Sequence, residues 1–224
     1  VAAKAALERA GVEGAQIGHV AYGHVINTEP RDMYLSRVAA MQAGIPDTTP
    51  AMNVNRLCGS GAQAIVSVVQ SLMLGDADFG LAGGAEGMSR SPFINPSERW
   101  GQKMGDIKVL DMMLGALNCP FGTGHMGVTA ENVSAEHDVS REAQDAYAAQ
   151  SQARTAAAQE AGRFDAEIVP LPSTMLVQDR ETKEISERAV TLEKDEGNRP
   201  GTTAESLAGL QPVFKDGQQI KEGR

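Results

Sequence analysis

An apolar helical segment between two strand-like segments constrains the fold of this chain most. Residues 60–74 carry apolar side chains at helical spacing and on nearly every side, so we expect a buried helix. The extended segment 50–57 precedes it, and the glycine-rich segment 79–85 follows it. Strand, helix and strand in this order predict an α/β fold with a layered sheet.

The segments before this unit continue the same alternation. A helix is expected up to about Arg9, ending at Gly11, followed by a strand over 19–26 and a helix over 34–43. The first ~90 residues therefore form one layered sheet unit in this interpretation.

The rest of the chain has a different character. Residues 92–121 contain Pro, Gly and Met without clear periodicity, which predicts long loops around a short helix near 109–117. Helices are expected over 129–136 and 140–161, the second with Ser140 as its N-cap. The polar segment 173–201 predicts a solvated loop or hairpin.

Composition limits the possible partners and compartment. The chain has 224 residues, with 29 acidic against 20 basic ones and a net charge of −9, which disfavours nucleic acids and anionic membranes. Two cysteines without a secretory signal, and no apolar run of about 18 residues, predict a soluble cytoplasmic protein. Because the chain starts inside a helical pattern and stops at Arg224, we expect both ends to belong to a longer polypeptide.

Cys58 is the candidate nucleophile. It lies between the strand over 50–57 and the first turn of the following helix. Free amides and the positive end of the helix dipole favour a thiolate at such a junction. A small buried residue that packs between strand and helix is the alternative, and the residues alone leave both open. Ser60 is better explained as a first-turn hydroxyl, because Gly59-Ser-Gly61 lacks the full Gly-x-Ser-x-Gly pattern.

Other polar residues carry weaker signals. Residues 122–127 match Gly-x-Gly-x-x-Gly, but no buried strand precedes them, which disfavours a dinucleotide site. His125 lies on this glycine-rich loop ahead of a helix, as a functional or a structural histidine. The other histidines lack metal-ligand spacing, so no metal is expected, and Cys119 is interpreted as an ordinary thiol. Arg199 beside Pro200 could contact a phosphate.

Three motifs occur in order along the chain, NRLCGSGAQAI at 55–65, AGGAEGMS at 82–89 and HMGVTAEN at 125–132. Together they resemble the motifs of the thiolases, the acyl-CoA C-acyltransferases. The resemblance continues over nearly the whole chain to LQPVF at 210–214. It implies a layered αβαβα fold built from two similar halves, of which only the first half with its inserted loop domain is present. The implied domains are 1–91 for the half-domain without its first strand, 92–209 for the loop domain, and 210–224 for the truncated return.

The resemblance also implies the chemistry. Cys58 corresponds to the cysteine that takes an acyl group from acyl-CoA before Claisen condensation with acetyl-CoA, or the reverse thiolysis of 3-ketoacyl-CoA. His125 and Met126 correspond to the pair at the pantetheine end of the pocket, and Arg199 would serve the nucleotide end. The remaining expected CoA contacts are Leu117, Ser206, Leu207, Leu210 and Phe214. Coenzyme A is substrate and product, and no further cofactor is implied.

Oligomerisation and metabolic role follow from the same resemblance. The segment RWGQKMGD at 99–106 resembles the loop through which many thiolases form tetramers, so a homo-oligomer is expected. The resemblance also implies a role in fatty acid metabolism, including β-oxidation. The motifs Asn-Glu-Ala-Phe, Gly-His-Pro and Cys-x-Gly, which supply the family's catalytic asparagine, histidine and second cysteine, do not occur in this sequence. Gly87 stands where the family's motif commonly has a serine, in the form Glu-Ser-Met-Ser. We therefore expect the 224-residue chain alone to be inactive.

Two alternatives remain beside the acyltransferase. The first is a catalytically incomplete fragment that only binds CoA or a partner subunit. The second is a condensing enzyme of the ketoacyl-synthase type, which also has a cysteine between strand and helix. The loop with His125 and Met126 disfavours the second.

Overall fold

The computed structural model describes residues 1–214. The chain divides into two compact units, one over Val1–Pro120 and one from Phe121 onward. The domain boundaries expected at 91 and 209 stay a prediction, and residues 215–224 of the expected return segment lie outside the described residues. The helices are α1 Ala2–Ala10, α2 Leu35–Gln42, α3 Ser60–Met73, α4 Met112–Leu117, α5 Met126–Glu136, α6 Arg141–Glu160 and α7 Ala204–Ala208. The strands are β1 Ile17–Gly23, β2 Ala51–Val54, β3 Phe79–Gly84, β4 Phe93–Ile94, β5 Leu110–Asp111, β6 Asn118–Cys119, β7 Gly124–His125, β8 Leu171–Gln178 and β9 Ile185–Leu192.

A three-stranded parallel sheet organises the first unit, in the order β2-β1-β3. Strand side chains alternate between the two faces of a sheet, and β1 uses both faces for burial. Val20 and Tyr22 pack with Leu7 of α1 and Ala40 of α2, while Ala21 packs with α3. Helices therefore cover both faces of the sheet, as expected for parallel strands.

The predicted elements of this unit are largely confirmed. Helix α1 ends at Gly11, whose φ of 64° lies in the left-handed region that glycine tolerates. The strand expected over 50–57 is shorter than predicted, because β2 ends at Val54 and a turn follows. A short 3-10 helix over Pro30–Tyr34, which periodicity did not indicate, precedes α2.

The expectation that α3 is buried on nearly every side is wrong for the part of the chain that the structure describes. Its buried residues, Ser60, Ala64 and Val68, lie toward the sheet. Ile65 and Met73 are 58% and 82% exposed on the other side. Apolar side chains on all sides show that a helix can be buried. Burial of the outer side also requires another element that packs against it.

The second unit contains the helices α5, α6 and α7 and a β-hairpin. Helix α6 begins with the Ser140 hydroxyl accepting a hydrogen bond from the Ala143 amide at 3.2 Å, which confirms the predicted N-cap. Strands β8 and β9 form an exposed antiparallel hairpin that begins at Leu171, two residues before the predicted polar segment. No helix within residues 1–214 combines the length and the apolar character needed to cross a membrane.

Candidate functional site

Cys58 lies in a short turn between β2 and α3. Gly59 is the N-cap of α3, so Cys58 precedes the helix and lies between β2 and the first helical turn, as the sequence predicted. Leu57 before it has a φ of 48°, a left-handed conformation that is uncommon for a non-glycine residue and often marks a functional turn. The Cys58 thiol is free and exposed, so the alternative of a buried packing residue is wrong.

The buried hydroxyl of Ser60 holds this turn. It accepts a hydrogen bond from the Arg56 amide at 2.9 Å and donates one to the Leu57 carbonyl at 2.6 Å. Asn55 adds a third bond, since its side-chain oxygen accepts from the Leu57 amide at 3.0 Å. Ser60 is therefore a structural hydroxyl of the first helical turn, as the sequence predicted, and it fixes the backbone on both sides of Leu57.

Glycine brings β1 against this turn. A Cβ atom on Gly23, the last residue of β1, would lie 2.6 Å from the Ser60 carbonyl carbon. Real Cβ atoms essentially never approach a backbone atom so closely. The position therefore requires glycine for the strand to reach the start of α3.

Cys58 lines a cavity of about 440 Å³ at the carboxyl ends of β1 and β3. This end of a parallel sheet is where α/β proteins commonly bind ligands. The lining is mostly apolar and includes one charged residue, Glu86. The lining residues are Gly23, Val25, Ile26, Leu57, Cys58, Ser60, Gly61, Gly84, Ala85, Glu86, Met88, Ala116 and Leu117. Of the expected CoA contacts, Leu117 shares this cavity with Cys58.

Helix α4 positions Leu117. The Asp111 carboxylate caps the helix by accepting hydrogen bonds from the Met113 amide at 2.9 Å and the Leu114 amide at 3.3 Å. Sequence analysis located this helix but missed the cap. Aspartate directly before an apolar helical segment was the available signal.

His125 is the N-cap of α5 in the second unit. Its Nδ1 accepts a hydrogen bond from the Gly127 amide at 3.0 Å, so the neutral ring carries its proton on Nε2. The Phe214 ring lies 5.8 Å from the His125 ring, centroid to centroid. Met126 follows at the first position of the helix and is 42% exposed. The structure thus brings His125 and Phe214, two of the expected CoA contacts, together.

Helix α6 holds three more of the expected contacts in this unit, Arg199, Leu207 and Leu210. The Gln152 side-chain oxygen accepts a hydrogen bond from the Arg199 amide at 2.8 Å. The Arg141 guanidinium donates to the Leu207 carbonyl at 2.7 Å and to the Leu210 carbonyl at 3.2 Å. Sequence analysis missed the positioning roles of Gln152 and Arg141, because contacts about 47 and 66 residues apart leave no local pattern.

The Ser206 side chain takes part in a capping box. Thr203 accepts from the Ser206 amide at 3.2 Å, and Ser206 accepts from the Thr203 amide at 3.1 Å. Within residues 1–214, no group of three or more His, Cys, Asp or Glu side chains is arranged to hold a metal ion.

Known proteins are similar to this chain in sequence. Beta-ketothiolase BktB of Cupriavidus necator is 51% identical over 209 residues, which cover 93% of this chain and 50% of that protein. An acetyl-CoA acetyltransferase of the same organism is 43% identical, with 96% of this chain and 52% of that protein covered. The chain spans about half the length of the curated relatives it matches.

Solved structures and a family comparison agree with these matches. Human mitochondrial 3-ketoacyl-CoA thiolase in complex with CoA superposes with a TM-score of 0.83 at 40% identity, covering 96% of this chain and 51% of that one. The fold is thus the α/β fold of a thiolase N-terminal half. Residues 1–223 match the family described as thiolase, N-terminal domain. The chain therefore belongs to the thiolase family.

Proposed function

We propose that the protein containing this chain is an acyl-CoA C-acyltransferase with Cys58 as its nucleophile. One observation carries the proposal: the exposed Cys58 thiol lines an apolar cavity at the start of α3, in a chain of the thiolase family. An apolar cavity with a reactive thiol suits a short acyl chain attached through a thioester. Acyl-CoA and acetyl-CoA are the proposed substrates.

In the first step the Cys58 sulfur bonds to the carbonyl carbon of acyl-CoA. The bond between that carbon and the CoA sulfur breaks, and the thiol proton leaves with CoA as its free thiol. The product is an acyl thioester on Cys58. The turn held by Ser60 keeps the thiol in place, which reduces the loss of freedom at the transition state.

In the second step acetyl-CoA loses a proton from its methyl carbon, and the resulting carbanion attacks the Cys58 thioester. The new carbon–carbon bond gives 3-ketoacyl-CoA, and Cys58 leaves as a thiolate that regains a proton. Thiolysis is the reverse. The base for this step belongs to motifs that the 224-residue sequence lacks, so the proposal concerns the whole protein.

The proposed CoA site uses residues that the second unit already groups. His125, Met126 and Phe214 would contact the pantetheine arm, and Arg199 would contact the nucleotide. Ser206, Leu207 and Leu210 complete the set in this unit, and Leu117 belongs to the cavity of the first. The support is their location on segments held by α6 and the N-terminus of α5.

The finer assignments are also proposals. They comprise a role in fatty acid metabolism and β-oxidation, a cytoplasmic location, and a homotetramer assembled through 99–106. Two of the relatives are named for ketothiolase and acetyltransferase activity, and these names fit degradative and biosynthetic directions alike. Trp100 in this loop is 86% exposed, which suits a contact between subunits.

Intact mass spectrometry tests the proposal. The full-length protein is exposed briefly to acetyl-CoA, and any adduct is mapped by peptide digestion. We expect one acetyl group on Cys58, lost in Cys58→Ala and retained in the matched control Cys119→Ala. An unmodified full-length protein would refute the proposal and favour a fragment that only binds CoA or a partner subunit. Labelling from acyl carrier protein instead would favour a ketoacyl synthase.

A further inference from the structure

Glu86 links the two loops that follow β1 and β3. It belongs to the motif AGGAEGMS at 82–89. One oxygen of its carboxylate accepts a hydrogen bond from the Val25 amide at 3.0 Å, and the other accepts from the Ile26 amide at 3.0 Å. A single carboxylate thus satisfies two consecutive backbone donors about 60 residues away in the chain.

His24 strengthens this link. Its ring is buried, and its Nδ1 donates a hydrogen bond to the Ala85 carbonyl at 2.8 Å. The same nitrogen lies 3.4 Å from Oε1 of Glu86. Its Nε2 is buried and has no hydrogen-bond partner among residues 1–214. The ring therefore serves as a donor toward the β3 loop.

Both loops form the wall of the cavity that contains Cys58. Val25 and Ile26 contribute from the β1 side, and Ala85 and Glu86 contribute from the β3 side. Ile26 is only 7% exposed, so water cannot easily replace the carboxylate at its amide. Removing the charged acceptor from the part-buried Ile26 amide leaves that donor unsatisfied, which favours a rearranged loop.

We propose that Glu86, supported by His24, is a positioning residue for acyl transfer at Cys58, because it fixes the Val25–Ile26 wall against which the acyl group lies. The inference rests on the proposed function. Glu86 acts through the loop backbone and neither reacts with the substrate nor moves a proton.

The first test compares Glu86→Gln with the wild type in the full-length protein. The glutamine side chain keeps one oxygen, which can accept from one of the two backbone amides. Its NH₂ group is a donor and cannot accept from the other amide, so one hydrogen bond is lost. We expect acetylation of Cys58 by saturating acetyl-CoA to slow by at least about tenfold, which is the scale of one hydrogen bond to a charged group. Alkylation of Cys58 by iodoacetamide should stay within about twofold, since the thiol itself is untouched.

Glu29→Gln is the matched control, because Glu29 is a surface carboxylate paired with Arg90 and lies outside the cavity. A second pair of variants leaves Glu86 in place. His24→Asn keeps a donor near the position of Nδ1, so its rate of Cys58 acetylation should stay within about threefold of the wild type. His24→Ala removes the donor, so its acetylation rate should fall as far as that of Glu86→Gln.

Several results would overturn the inference. The first is a rate of Cys58 acetylation in Glu86→Gln within about twofold of the wild type. The second is an equal loss of alkylation and acetylation, and the third is a shift of the acidic limb in the pH profile of the acetylation rate, which would indicate proton transfer by Glu86. If Glu86→Gln does not fold, equal acetylation rates in His24→Asn and His24→Ala would refute the inference. A wild type that is not acetylated refutes the proposed function as well, whereas an acetylated wild type with an equally active Glu86→Gln refutes this inference alone.

Discussion

Gly23 and Ser60 pack backbone against backbone at the start of α3. A Cβ atom at position 23 would lie 2.6 Å from the Ser60 carbonyl carbon and 2.7 Å from the Gly61 amide nitrogen. The end of the central strand thereby meets the first turn of the helix that follows Cys58. Two backbones cannot yield as a flexible side chain can, so this contact determines where the cysteine turn lies.

Gly23→Ala should therefore displace the cysteine turn. We expect the free energy of unfolding to fall by about 1–3 kcal/mol, the usual cost of inserting a methyl group into a packed site, and Cys58 acetylation to slow at least about tenfold. Denaturant titration and mass spectrometry measure the two effects. The control is Gly115→Ala in α4, where a Cβ atom would meet nothing within 4 Å. Equal behaviour of the two variants would contradict the packing argument.

Ser60→Ala tests the hydroxyl that holds the turn. The substitution leaves the Arg56 amide and the Leu57 carbonyl without this partner, and Ser60 is only 5% exposed. We expect a loss of about 1–3 kcal/mol in the free energy of unfolding and slower acetylation of Cys58. Ser71→Ala is the control in the same helix, since its hydroxyl makes one long bond of 3.5 Å to the Ser67 carbonyl. Unchanged acetylation in Ser60→Ala would exclude a role for the hydroxyl in positioning the thiol.

Gly127→Ala tests the contact between His125 and Phe214. A Cβ atom at position 127 would overlap the Phe214 ring, so the ring must move away. If Phe214 contacts CoA as proposed, KM for acyl-CoA should rise about 3- to 30-fold while kcat changes less. Gly201→Ala, with nothing within 4 Å of the added atom, should leave KM unchanged. A KM that is equally unchanged in Gly127→Ala would remove Phe214 from the proposed CoA site.

Acid should destabilise the first unit partly through Asp32. Hydrogen bonds from the Thr28 hydroxyl at 2.8 Å and the Thr28 amide at 2.7 Å hold the pKa of this carboxyl below its usual range. A carboxyl whose pKa is lower in the folded state contributes stability above its unfolded pKa of about 3.9, and that stability is lost as the pH falls through the folded value.

The measurement is the midpoint temperature of thermal unfolding, recorded at several pH values between 5 and 2. Asp32→Asn should lower the midpoint at pH 5 and reduce the further drop on acidification, because the titrating group is gone. Asp78→Asn, at an exposed aspartate, should follow the wild type. Parallel curves for Asp32→Asn and the wild type would show that the Thr28 hydrogen bonds do not contribute to acid stability.

Local sequence determined most elements of this chain and the position of its candidate nucleophile. Gly11 and Ser140 carry their own signals, because a left-handed residue and a helix cap depend on a few neighbouring atoms. The position of Cys58 between a strand and α3 was also readable from the residue pattern.

Only the tertiary structure decided which distant residues meet. The Glu86 carboxylate on the Val25 and Ile26 amides, the Arg141 guanidinium on the Leu207 carbonyl and the approach of Gly23 to Ser60 all join residues far apart in the chain. The exposed side of α3 belongs to the same class, since an apolar helix face looks the same in sequence whether or not another layer covers it. Periodicity reports what a segment can bury, whereas burial itself depends on the elements that pack against it.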